Sequence, residues 1–367
     1  MSNAKNIYSK AGRFLSPLGT LYGQVMKARR AFYRNGLISS YRPKCPTVAV
    51  GNISWGGTGK TPVTAWLLGW AKKNELKAVV LTRGYKGKPP TLPFTVTPGG
   101  NPAQSGDEPL MLANFFPGAS VLVDPKRARA AHFAEKTLAP DLLIMDDGFQ
   151  HLGLARDLNV LLLTPEDLNT GWNKVIPGGT WREEETALKA ADVVFIRCDG
   201  GTAGEELADL LSIACKKLAN IPVFPFYFTN TGLRRLGSAE IAPDLGGVPY
   251  NLFCGVGSPD GVLAGATELV GQAPQKFTAF ADHHCFTRED LAVLCEPGLD
   301  LVCTEKDAIK LEFEFPEILS KHAIWAIQLE IRFLPGFADG GQGQGFENWW
   351  EAAWLRIKTG RLGGRSD

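Results

Sequence analysis

The sequence predicts an α/β protein: a P-loop NTPase-like parallel sheet with helices on both faces, plus a smaller second α/β domain joined by a two-stranded linker. Three observations carry this. Short apolar runs alternate with helical patterns, the signature of a parallel sheet covered on both sides. A glycine-rich loop sits between the first such run and a helix. Two extended segments, Val223 to Thr229 and Ala323 to Ile331, flank a separate strand-and-helix block, as where a chain leaves one domain and returns to it. The 367 residues suit two domains. The expected division is 1–40 for a basic amphipathic helix belonging to the first domain and 41–225 for the nucleotide-type domain. The linker strands and second domain then take 226–334, with 335–367 packing back on the first domain.

Composition excludes disorder and fibrous classes: 44% hydrophobic, 21% charged, with 41 Gly and 24 Pro marking many turns. The 18-residue charge-free stretch Pro89 to Gly106 contains five prolines, so no transmembrane helix is expected there or elsewhere. Seven scattered cysteines without a CxxC pair point to a reducing compartment and no zinc site.

The net charge of +1 hides an asymmetry. Residues 1–44 hold nine Lys or Arg and no acid, leaving −8 for the rest. Ser16-Pro17 reads as a helix start and Asn35-Gly36 as its end. Between them Leu18, Leu21, Tyr22, Val25, Ala28 and Phe32 follow a helical period, with Lys27, Arg30 and Arg34 mostly off that face. Such a helix either lies on an anionic membrane surface or packs on its own domain or an acidic partner. Nucleic acid is disfavoured, because the remaining chain is acidic.

Strands are expected at Thr47 to Val50, Ala78 to Thr82, Ser120 to Val123, Leu142 to Met145, Asn159 to Leu163 and Asp192 to Ile196. The second unit begins near Leu245, with Tyr250 to Gly255, a helix from Arg288 to Cys295, and a strand at Leu299 to Cys303. Trp349, Trp350, Trp354 and Leu355 mark a C-terminal helix against the first domain.

The first loop, Ser54-Trp55-Gly56-Gly57-Thr58-Gly59-Lys60-Thr61, fits GxxxxGK[ST] except that Ser54 replaces the first glycine. Small residues let backbone N–H groups wrap phosphates at the positive end of the following helix. Lys60 is placed to reach the β- and γ-phosphates and the Thr61 hydroxyl to bind Mg2+. Leu142 to Asp147 is an apolar strand ending in two acids, Asp146 and Asp147, suited to the magnesium end of the same site or, more simply, to capping a turn.

Phosphoryl transfer to an alcohol needs a group that takes the proton. Asp107 and Glu108, in a Gly-Asp-Glu-Pro turn, and Asp282-His283-His284 are the two candidates. A carboxylate with a histidine from the opposing lobe would form a base dependent on the domains meeting. An acidic pair at a helix start also serves as a cap, and His283 also suits a structural hydrogen bond.

The ordered blocks VGNIS..GGTGKTP, RGY at Arg83 to Tyr85, GDEP, DDGFQH at Asp146 to His151, RDL at Arg156 to Leu158, FADHH at Phe280 to His284 and TEKDA.K at Thr304 to Lys310 together resemble the tetraacyldisaccharide 4'-kinase (lipid A 4'-kinase) family. They extend from about residue 42 to 311. The resemblance implies an ATP- and Mg2+-dependent enzyme that phosphorylates the 4'-hydroxyl of a lipid A disaccharide 1-phosphate. It also implies a place at the cytoplasmic face of the bacterial inner membrane. On matching motifs Asp107 is its catalytic base, His283 the partner, and Asp146 and Asp147 serve the metal. Glu108, Arg83, Arg182 and Glu183 become further substrate or active-site contacts, with Arg127 a weaker match. The turn Pro177 to Glu184 departs from the family pattern except at Arg182 and Glu183. The competing class is a membrane-associated P-loop ATPase switch of the partition type, but Trp55 stands where those proteins carry a lysine. A GTP-dependent metal chaperone is disfavoured by the absence of NKxD.

Overall fold

The structure is a computed structural model that describes residues 2–218, 221–338 and 341–362. Two compact units emerge: one holds residues up to Arg83, Asp124–Tyr227 and the chain from Ile331; the other holds Gly84–Val123 and Phe228–Glu330.

The first unit is built on six strands in the order Val223–Arg235, Val193–Arg197, Leu158–Leu163, Thr47–Asn52, Leu142–Asp146, Ala78–Thr82. Neighbouring pairs are parallel throughout. The strands Thr47–Asn52 and Leu142–Asp146 are buried at every residue, which is why they read as continuous apolar runs rather than as alternation. Their register sets Val50 beside Asp146, so the acidic strand end stands next to the strand that feeds the phosphate loop. The C-terminal helix Phe346–Leu362 belongs to this unit. Its Trp350 packs edge-on to Trp70 and Trp66, and Glu351 accepts the Trp70 indole N–H at 2.7 Å. Leu355, expected in that contact, is exposed, because it lies on the opposite side of the helix.

The N-terminal helix runs Ser2–Arg34, well upstream of Ser16. Pro17 therefore lies inside it, and the Ser16-Pro17 start predicted from sequence is not a helix boundary. The expected end holds: Gly36 adopts φ +72° and the Leu37 N–H returns to the Phe32 carbonyl. The packed side of the helix is Gly19, Gly23, Met26, Arg30 and Tyr33. A Cβ on Gly19 would stand 2.6 Å from the Val175 carbonyl oxygen, so only glycine permits that backbone approach, while one on Gly23 would meet the Glu184 side chain at 2.7 Å. Leu18, Leu21, Tyr22, Val25 and Phe32 remain exposed.

In the second unit Lys276–Ala279, Tyr250–Cys254, Asp300–Thr304 and Ile324–Phe333 follow one another in parallel. Helices Pro259–Val270, Arg288–Leu294 and Glu305–Glu314 cover them, with Phe253, Phe286, Leu291, Leu301 and Leu311 in the core. Residues 84–123, which the sequence division leaves in the first domain, cluster here because helix Asp107–Phe115 packs on helix Glu305–Glu314. The linker segments are the long strands Val223–Arg235 and Ile324–Phe333, and the boundary between units falls inside each.

Candidate active site

The phosphate loop leaves strand Thr47–Asn52 and enters helix Lys60–Lys73 through Gly59, whose left-handed backbone (φ +94°) turns the chain without the strain a side chain would meet. No side chain caps this helix, which leaves its first N–H groups to an anion. Ser54, at the place of the motif's first glycine, faces away from the loop. Its hydroxyl donates to Asp167 at 3.0 Å, and the same buried carboxylate accepts from the Trp181 indole at 3.1 Å and from Thr164. Ser54 and the buried Trp181 thus share one anchor, and Arg182 N–H donates to the Ile53 carbonyl at 2.6 Å. The divergent turn is tied to the loop's entrance, which brings Arg182 to the site.

Lys60 Nζ lies 3.7 Å from Asp147, whose carboxylate also meets Arg182 Nη1 at 3.2 Å. Asp147 adopts φ +51°, an uncommon conformation for a residue with a Cβ, directly after the acidic strand. Burial pushes its carboxyl up, but Lys60, Arg182, His151 and Arg127 outweigh this and hold it below the ordinary range. Asp146 is nearly buried and accepts from the Thr64 and Thr82 hydroxyls at 3.3 Å. Thr61, one residue into the helix, is buried as well. Arg83 is exposed.

Arg127, a weak match by sequence, is 2% exposed and donates to the carbonyls of Asp124 and Asp146 at 2.7 and 3.2 Å. Burial pushes its guanidinium down to about 10, with Asp146 and Asp147 opposing. Its Nε and the Thr58 hydroxyl in the loop are buried without a hydrogen-bond partner among the described residues. Orphaned donors of this kind, at a helix N-terminus, fit phosphate oxygens. The nearby oxygens of Thr61, Asp146 and Asp147 are hard donors suited to Mg2+, which is commonly held by one or two carboxylates together with phosphates. No group of three or more His, Cys, Asp or Glu forms a metal cage among the described residues.

Glu183, expected as an active-site contact, is 2% exposed and both its oxygens are held by Arg30 of the N-terminal helix at 2.6 and 2.9 Å. That carboxylate joins the N-terminal helix to the residue beside Arg182, which itself meets Asp147. Arg30 also stacks on Phe149, and Arg29 donates to the Gln150 carbonyl. Sequence pattern offers no signal for this contact, because the partners are 153 positions apart.

In the second unit, helix Asp107–Phe115 begins at Asp107, whose Oδ2 is 3.1 Å from His283 Nδ1. Both residues lie in this one unit, so the pair does not depend on two lobes meeting, contrary to the sequence expectation. His283 adopts φ +62° in a turn closed by the His284 N–H on the Ala281 carbonyl, and its own N–H donates to the Gly255 carbonyl. Burial pushes the Asp107 carboxyl up, but the His283 hydrogen bond, Lys310 and Lys306 outweigh it and hold the group low. A carboxylate kept ionised beside an imidazole can accept a proton from an alcohol. Glu108, next to it, is half-buried. The two lysines belong to the TEKDA.K block but received no role from sequence, although their i, i+4 spacing puts them on one helix face.

A phosphate loop before a helix, with an acidic strand end beside it, places the first unit among P-loop phosphotransferases. Residues 11–340 match the family described as "Tetraacyldisaccharide-1-P 4'-kinase". The chain belongs to that family. It is 42% identical over 351 residues to the tetraacyldisaccharide 4'-kinase of Nitratidesulfovibrio vulgaris, covering 95% of this chain and 96% of the relative. With the enzyme of the same name from Oleidesulfovibrio alaskensis the identity is 43%, over 94% and 95%. A crystal structure of LpxK from Aquifex aeolicus in complex with ATP superposes with a TM-score of 0.74 at 26% identity, covering 94% of this chain and 99% of that one.

Proposed function

We propose that this chain is an ATP-dependent kinase that transfers the γ-phosphate to the 4'-hydroxyl of a tetraacyldisaccharide 1-phosphate, a step of lipid A synthesis, and works at the cytoplasmic face of the inner membrane. Membership of the kinase family supports the reaction. The single structural observation that carries the assignment of roles is the Lys60–Asp147 pair at the mouth of the phosphate loop.

Lys60 binds the phosphates undergoing transfer, aided by the N–H groups of residues 56–61 and by the orphaned donors of Thr58 and Arg127. Asp147 holds Lys60 and Arg182 in position until the nucleotide enters. Thr61, Asp146 and Asp147 are the residues that would hold Mg2+, which when bound neutralises charge on the phosphate oxygens. Asp107 accepts the proton of the attacking hydroxyl, and the imidazole of His283 orients its carboxylate. The products are ADP and a bisphosphorylated disaccharide.

Membrane contact is assigned to the N-terminal helix. Its glycine face is used for packing, and its apolar Leu18, Leu21, Val25 and Phe32 face solvent beside Lys27 and Arg34. That is the pattern of a helix whose outer surface meets acyl chains and anionic headgroups. Among the described residues no helix is long and apolar enough to cross a membrane.

The test is the purified chain with ATP, Mg2+ and tetraacyldisaccharide 1-phosphate, followed by mass spectrometry. A product heavier by one phosphate at the 4' position supports the reading; no product where a related kinase works under the same conditions sinks it.

A further inference from the structure

The turn that follows Asp146 and Asp147 offers its backbone carbonyls to three arginines, and the proposed mechanism uses none of these contacts. Arg156 spans the turn: Nη1 donates to the Gly148 and His151 carbonyls at 3.4 and 3.0 Å, and Nη2 to that of Phe149 at 3.2 Å. The N-terminal helix supplies the other two. Arg29 Nη1 donates to the Gln150 carbonyl at 3.2 Å, and Arg30 Nη2 to the Phe149 carbonyl at 3.4 Å while its Nε holds Glu183. Every carbonyl from Gly148 to His151 thus meets a guanidinium, whose rigid fork of donors suits several acceptors at once. Burial pushes the Arg156 guanidinium down to about 10, which still leaves it charged at neutral pH.

The other side of the same turn faces the phosphate loop. Asp147 meets Lys60 and Arg182, the Gln150 amide donates to the Asn52 carbonyl at 2.9 Å, and the Gly148 N–H donates to that of Val50 at 2.8 Å. Asp147 itself is left-handed, and a residue with a Cβ stays in that region only where its surroundings hold it. The arginines on the next four carbonyls fix the course of the chain beyond it. All these residues lie in the first unit.

We propose that Arg156 and Arg29 are positioning residues for Asp147: by holding the carbonyls of residues 148–151 they aim its carboxylate at the phosphate end of the site. Because Arg29 belongs to the N-terminal helix, docking of that helix and binding of a Mg2+-nucleotide favour one another. The nucleotide part rests on the kinase reading; the clasp on the turn does not. The coupling is reciprocal: if the docked helix strengthens nucleotide binding, bound nucleotide holds the helix down by the same factor.

The probe is ADP with Mg2+, titrated calorimetrically into the full chain without lipid. Arg29 is half-buried, so Arg29→Met should leave the melting temperature nearly unchanged. It should weaken Mg2+-ADP about tenfold, as loss of an outer-shell partner of a metal site does, with affinity for ADP in EDTA little altered. Arg29→Lys keeps a donor for the one Gln150 carbonyl and should restore wild-type affinity. Arg156→Lys loses the fork across three carbonyls and should weaken Mg2+-ADP at least as much as Arg29→Met. Hydrogen exchange reads the reciprocal effect. Saturating Mg2+-ADP should slow amide exchange in residues 19–34 more than in the helix Phe346–Leu362 of the same unit, and Arg29→Met should remove that preference. Unchanged Mg2+-ADP affinity in folded Arg29→Met, an equal loss for ADP in EDTA, or helix exchange indifferent to Mg2+-ADP overturns the proposal. Should Arg156→Lys not fold, the Arg29 variants decide alone. A chain that shows the coupling but phosphorylates no lipid loses the kinase reading and keeps the clasp; one that phosphorylates the lipid without the coupling loses only the clasp.

Discussion

Arg30 on the N-terminal helix clasps Glu183 through two hydrogen bonds of 2.6 and 2.9 Å. Because Arg182 is the next residue and holds Asp147, the helix that presents apolar side chains outward is braced against the phosphate end of the site. Glu183 is almost fully buried, so the pair is worth less as net stability than its rupture would cost.

Arg30→Met leaves the Glu183 charge buried without its partner and should destabilise the protein by about 3 kcal/mol. Urea unfolding measures it. The double variant Arg30→Met, Glu183→Leu should recover most of that loss, since no charge is left unpaired. Equal losses in the single and double variants would mean that the pair matters for packing alone.

Lys60→Ala should lower kcat by several powers of ten while circular dichroism and melting barely change. Retention of more than about a tenth of the activity would refute a role on the transferred phosphate. Thr61→Ala should lose activity likewise, with partial recovery at high magnesium, and chelation with EDTA should stop turnover of the wild type. Activity undiminished by chelation would sink the metal assignment.

The strands were legible because burial on both faces writes them as unbroken apolar runs, Leu142 to Met145 being the clearest. The phosphate loop was legible because its chemistry restricts local residue type. Contacts between distant segments were not. Nothing near Glu183 marks Arg30 as its partner, and Ser54 reads as a departure from the motif until Asp167 and Trp181 are seen around it. The extended N-terminal helix was missed because Ser16-Pro17 has the local chemistry of a helix start, which the helix tolerates in its interior. The grouping of residues 84–123 with the second unit follows from packing of Asp107–Phe115 on Glu305–Glu314, a tertiary fact with no local trace.

Asp107 sets a pH dependence whose sign can be worked out. Its folded pKa lies below the ordinary 3.8, so between the two values the unfolded chain binds the proton and the folded chain does not. The group therefore adds stability above pH 3.8, lost as pH falls through the folded value. Burial opposes the shift, and His283, Lys310 and Lys306 produce it. Lys310→Met should thus move the acid limb of the kcat/KM profile to higher pH, while Asp107→Asn should abolish most activity with ATP affinity kept. An acid limb that stays in place in Lys310→Met would show that Asp107 is not the titrating base.

The outward face of the N-terminal helix separates membrane docking from simple packing. Leu18, Leu21 and Val25 are 55%, 64% and 58% exposed, so replacing them with serine removes little from the protein's own core. Each substitution withdraws apolar surface worth about 1–2 kcal/mol in a bilayer, so the triple variant should bind vesicles rich in phosphatidylglycerol weaker by on the order of 100-fold or more. Charge reversal at Lys27 and Arg34 should weaken binding further and make the residual affinity less sensitive to salt, at about 1 kcal/mol per basic residue merely neutralised. Arg30 must be left out of that set, because its side chain is engaged with Glu183 and its reversal would unfold the site rather than release the membrane. Co-sedimentation with vesicles and a melting curve decide the matter together. Weaker binding at an unchanged melting temperature supports docking through this face. A lowered melting temperature in a protein that never bound vesicles would assign these side chains to packing.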